Sequence, residues 1–104
     1  MGVPAIRPIR PVKYTSVTET QSSVGTSAAD LLAANASRVY LSIQNTHGSQ
    51  ALHLSFDGGD ATTSDIKLTA GSSMTFETTA CPTGVVSGIG SGASTTYAIL
   101  EISE

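Results

Sequence analysis

The 104-residue chain has no tryptophan, two phenylalanines, three tyrosines and one cysteine, and only 12% of its residues are charged. Each shortage excludes something. Cys81, being alone, closes no intramolecular disulfide and builds no cysteine-rich metal site, so folding rests on side-chain packing. Sparse charge argues against long, salt-bridged surface helices. Ser, Thr, Gly and Ala fill the gaps between apolar runs, a mix that suits short strands and tight turns. No apolar run approaches the roughly 20 residues of a membrane-spanning helix, and the first residues lack the continuous apolar stretch of a secretory signal. A soluble protein with no membrane partner is therefore expected. The length supports one core and one domain. With so few aromatic anchors and no staples, self-association is the expected extra source of burial.

What charge there is lies unevenly. Arg7, Arg10 and Lys13 give residues 1–13 a charge of +3, while residues 14–104 carry two basic against eight acidic side chains, −6. Three of the four prolines, Pro4, Pro8 and Pro11, fall in the same thirteen residues. They fix φ and favour an extended arm of polyproline type over helix or sheet. Val3, Ile6, Ile9 and Val12 recur at every third position, the period of that helix, and line one edge. A solvated linker has no need of an apolar edge. Residues 1–13 therefore read either as a disordered terminus or as an arm that docks on a neighbouring subunit or shell through Ile6, Arg7, Ile9, Arg10 and Lys13, and residues 14–104 are expected to be the folded domain.

Period-two alternation dominates that domain. Residues 14–24 fit a strand of modest burial. Residues 26–34 read either as a helical turn capped by Ser27 or as an edge strand running into a loop; propensity favours the helix. The clearest signal is Val39, Leu41 and Ile43 alternating with polar neighbours, then a turn at residues 45–49, then Leu52, Leu54 and Phe56. These six apolar residues are expected to anchor the core, on two consecutive strands joined as a hairpin. Further strands are expected at Ile66 and Leu68 and at Met74 and Phe76, and Val85, Val86 and Ile89 form another brief apolar run. The run Gly88-Ile89-Gly90-Ser91-Gly92 reads as a bulge or loop. In the last strand Ala98, Leu100 and Ile102 alternate with Tyr97, Ile99 and Glu101. Both faces are partly apolar, so the outward one is expected to meet a partner. About seven short strands at regular spacing predict an all-β fold, a single β-sandwich or jelly-roll-like barrel preceded by the proline-rich arm.

Motifs for chemistry are scarce. There is no Gly-x-Ser-x-Gly elbow and no phosphate-binding Gly-x-x-x-x-Gly-Lys, and the glycine cluster lacks the strand-to-helix context of a nucleotide fingerprint. His47 falls in a turn and His53 on the face opposite the Leu52, Leu54, Phe56 stripe, so both are expected to face solvent, without the spacing of a zinc site. Asp57, Asp60 and Asp65 share one loop, but Asp-Gly pairs are turn formers and the pattern is not that of a calcium loop. Asn35-Ala36-Ser37 matches a glycosylation acceptor, which carries no meaning without a secretory signal. An acidic domain without a basic aromatic strand face argues against nucleic acid. The expectation is a protein that is not an enzyme and uses no cofactor or metal.

One segment carries a likeness. Arg38-Val39-Tyr40-Leu41-Ser42-Ile43-Gln44-Asn45, the hairpin-like residues 52–59, Ile66-Lys67-Leu68-Thr69-Ala70-Gly71, and Pro82-Thr83-Gly84 before an apolar last strand follow one another between residues 35 and 101. Over about two thirds of its length the chain thereby resembles a loose group of small tailed-bacteriophage virion proteins. The resemblance implies a β-sandwich decoration, cement or fibre-base protein, a homo-oligomer (a trimer before a dimer) on the lattice of a major capsid protein. The implied location is the capsid exterior of a virion assembled from protein made in the bacterial host cytoplasm. The proline-rich arm lies outside the likeness.

Overall fold

A computed structural model describes residues 16–104; the arm, with Tyr14 and Thr15, lies outside the described residues. The described residues form an all-β structure of eight strands without helix: β1 (Ser16–Val24), β2 (Ala29–Leu32), β3 (Arg38–Asn45), β4 (Leu52–Ser55), β5 (Ile66–Leu68), β6 (Ser73–Phe76), β7 (Val86–Gly90) and β8 (Thr95–Ser103). They make two antiparallel four-stranded sheets, ordered β1-β8-β3-β6 and β2-β7-β4-β5. No described helix is long and apolar enough to cross a membrane.

Alternation explains the core. Leu41 and Ile43 of β3, Leu52 and Leu54 of β4 and Val86 of β7 have no exposed surface, and Tyr97 and Ile99 of β8 are nearly as deep. These residues join Val24, Leu31 and Leu68 in one cluster drawn from both sheets. Each fully buried aliphatic side chain contributes about 1.5–3 kcal/mol. Phe56 and Phe76 meet edge to face at the margin, with ring centroids 5.1 Å apart. Of the six expected anchors, Val39 and Phe56 are only half-buried. The register of β3 on β8 shifts between Arg38 and Tyr40, which takes Val39 out of strict alternation.

The expected hairpin of residues 38–56 does not form. β3 pairs with β6 and β8, whereas β4 pairs with β5 and β7, so the intervening turn crosses between sheets. Alternation dictates which face is apolar; it does not dictate which neighbour supplies the backbone hydrogen bonds. Here the fully buried Asn45 amide decides. Its Nδ2 donates to the carbonyls of Gln50 (2.8 Å) and Leu68 (3.0 Å), and its Oδ1 accepts from the His47 N–H (2.9 Å), holding the crossover in place. β5 crosses back to β6 through Gly71, whose φ of 78° suits glycine and whose N–H donates to the Asn45 carbonyl at 2.9 Å.

Of the two readings open for residues 26–34, the edge strand running into a loop is the one found, against propensity: Ala29–Leu32 is an edge strand with a register shift against β7. The first part of the glycine run is strand, since Val86–Gly90 lies between β2 and β4, and only Ser91 and Gly92 fall in the connection to β8, as the loop reading had it. A Cβ on Gly88 would meet Leu31 Cδ1 at 2.5 Å, and one on Gly90 would collide with the Thr95 side chain. The glycines there make room for neighbouring side chains in a packed interior.

Candidate functional site

All five residues expected to bind a partner, Ile6, Arg7, Ile9, Arg10 and Lys13, lie outside the described residues. Among the described residues, Arg38, His47, Asp57, Asp65 and Glu101 use their side chains to build the fold.

His47 is half-exposed, and its Nδ1 accepts from the N–H groups of Ser49 (3.0 Å) and Gln50 (2.9 Å). That arrangement places its proton on Nε2 and makes it a turn former. His53 does not face solvent as expected; it is 7% exposed. It points to the outer side of its sheet, but the segment between β4 and β5 folds back over that side. Ala61, 3% exposed, donates its N–H to the buried Ser87 Oγ at 2.9 Å, and the Asp65 carbonyl approaches His53 Nδ1 at 3.5 Å. The same segment accounts for its aspartates. Asp57 accepts from Ser55 Oγ (2.7 Å) and the Gly59 N–H (2.9 Å), and these bonds, the backbone one first, hold its carboxyl below the usual range. Asp65 accepts from the Thr62 N–H at 2.7 Å. They close turns, and among the described residues no three His, Cys, Asp or Glu side chains gather to hold a metal.

Arg38 is the most heavily engaged. By alternation Glu101 shares the inward face of β8 with Tyr97 and Ile99, and the fully enclosed Arg38 side chain meets it, Nε donating to Oε2 at 2.7 Å. Nη1 donates to the carbonyls of Pro82 (2.8 Å) and Gly84 (3.1 Å), and Nη2 to that of Ala33 (2.8 Å). One guanidinium thus ties β3 and β8 to the connections flanking β2 and β7. Cys81 packs against the core beside this group; burial raises its thiol above the ordinary range, with Arg38 lowering it in part and Glu101 opposing that. Asn35 Nδ2 is likewise occupied, donating to Ser103 Oγ at 2.6 Å.

Two described apolar residues stand well exposed, Ile66 on β5 and Val17 on the outer side of the β1-β8-β3-β6 sheet, and the second belongs to a broad candidate surface. Register places its side chains in rows: Val17, Ile102 and Tyr40; then Glu19, Leu100, Ser42 and Thr75; then Gln21, Ala98, Gln44 and Ser73. Thr75 Oγ1 donates to Ser42 Oγ at 3.3 Å, as neighbours on one face do. Val17 is 62% exposed, and Glu19 is the only charged side chain in these rows. Ala98, small and flanked by two glutamines, leaves a shallow groove along β8. At the end of the sheet that groove gives way to a cleft of about 580 Å³ lined by Gln21, Ser22, Ser23, Thr46, Thr96 and Tyr97. The alternation of β8 gave the signal for this face, since Ala98, Leu100 and Ile102 sit outward, half-exposed. The contribution of Val17 and Tyr40 was hidden, because only strand order puts them beside Ile102.

No family model, curated protein or solved structure matches the chain.

Proposed function

We propose that the chain is a β-sandwich of the jelly-roll type that decorates or cements a bacteriophage capsid, binding the major capsid protein on the exterior of the virion as a homo-oligomer. For the fold, the support is strand order. β1 pairs with β8, β2 with β7, β3 with β6 and β4 with β5, as if one long hairpin had been bent over and rolled, the arrangement of an eight-stranded jelly roll. For the role, the carrying observation is the outer sheet face: a plate whose rows carry one charge and exposed Val17, beside a domain in which Arg38, His47, Asp57 and Asp65 are engaged in holding turns and strands. A plate of that kind suits docking to a flat lattice. The arm's apolar edge and its three cations complement a groove between acidic subunits.

The test is deletion of residues 1–13 and addition of the purified protein to particles lacking it. Loss of capsid binding by a domain that stays folded supports this reading; unimpaired occupancy rejects the arm's part in it. A second reading, a fibre-base or receptor-binding module, draws on the end cleft, whose hydroxyl and amide lining suits a sugar. It requires the domain without its arm to bind host-surface glycan, with Gln21→Ala or Thr96→Val abolishing that binding.

A further inference from the structure

Each sheet has two edges, and an edge strand offers unpaired N–H and C=O groups to any passing strand unless it is blunted. Three of the four edges are blunted here. β2 has four residues and a register shift, β5 has three and carries Lys67, and β6 has four. β1 is different. It runs nine residues, Ser16–Val24, holds unbroken register with β8 throughout, and contains no Lys, Arg or Pro. Among the described residues no strand lies on its other side.

We propose that β1 is the self-association edge of this protein: it pairs antiparallel with β1 of a second copy, joining the two β1-β8-β3-β6 sheets into one eight-stranded sheet. The inference rests on the homo-oligomer named above, but not on the capsid. Opposed residues of an antiparallel pair project to the same side, so a two-fold normal to the sheet requires some residue to face its own copy. With Thr20 facing Thr20 all nine residues pair, and Glu19 falls opposite Gln21 in both halves. Shifting the two-fold to Glu19 sets two carboxylates against each other and loses two pairs. Strand length and charge therefore select the same register. Both copies then turn their outer faces to one side, and the rows through Val17 and Leu100 continue from one protomer to the other. Pairing of like edges is a two-fold contact, which places the dimer ahead of the trimer.

Glu19 and Gln21 are exposed, so substitutions there spare the core. Sedimentation equilibrium on the full chain is expected to show a dimer. Gln21→Glu sets like charges opposite each other twice and weakens the dimer roughly tenfold, while Gln21→Lys tightens it by a similar factor. Thr20→Cys gives a disulfide-linked dimer on mild oxidation, with the wild type, whose one thiol is Cys81, as control. A monomer at all concentrations, or an oligomer indifferent to both Gln21 substitutions, overturns the pairing. A β1 dimer that ignores capsids rejects only the proposed function, and capsid occupancy unaltered in both Gln21 variants, with no change in self-association, rejects only the pairing.

Discussion

Replacing Arg38 with methionine probes how the two sheets are tied together. The aliphatic stem is largely kept, but four hydrogen bonds go: one to Glu101 and three to the carbonyls of Ala33, Pro82 and Gly84. The Glu101 carboxylate, 14% exposed, is left on an inward strand face without its partner. Breaking a buried pair from one side costs about 3–5 kcal/mol, because the remaining charge stays desolvated. With an m-value of about 1.3 kcal/mol/M for a domain of this size, the urea midpoint falls by roughly 2–4 M. Glu101→Gln keeps an acceptor facing Nε and costs about 1–3 kcal/mol. The double variant loses less than the two singles together, because neither partner is stranded. Equilibrium urea unfolding followed by circular dichroism measures all three. An Arg38→Met protein within about 1 kcal/mol of wild type, or strict additivity in the cycle, refutes the assignment of Arg38 as the tie.

Gly90→Ala places a methyl group into the Thr95 side chain and destabilises the domain by about 1–3 kcal/mol, checked by the same unfolding titration; a neutral effect contradicts the tight β7 interior. Asp57 has a lowered pKa in the folded state, so its stabilising contribution is full above the unfolded value of 3.8 and disappears as pH falls through the lower folded value. The stability gap between wild type and Asp57→Asn therefore narrows on acidification below about pH 4, and a gap that widens contradicts the turn geometry. Burial raises the Cys81 thiol, so alkylation of the folded protein near pH 8 proceeds more slowly than in urea; equal rates contradict the packing of Cys81 on the core.

Local alternation made the core legible: Leu41, Ile43, Leu52 and Leu54 were recognisable because their spacing already separated an apolar side from a polar one. Partner choice was not legible. A run such as residues 38–56 looks the same whether its strands pair with each other or with strands further along the chain, and the buried Asn45 amide, which holds the crossover, leaves no periodic mark. Gly88 and Gly90 misled for a related reason, since a glycine that serves a neighbour's side chain and one that frees a loop are identical in sequence. His53 misled because alternation correctly put it on the outer side of its sheet, while the cover came from residues 57–65, which carry no periodic signal. The proposed docking face was half visible in β8 and completed only when β1 and β3 were placed beside it.

The central claim, a rolled β domain that works by lying on a viral shell, is tested most directly by cryo-electron microscopy of purified particles prepared with and without this protein. The account predicts extra density at a fixed lattice position on the outer surface, in symmetry-related copies, into which the two-sheet domain fits. Particles that are identical with and without it, or density confined to a tail tip, would contradict it.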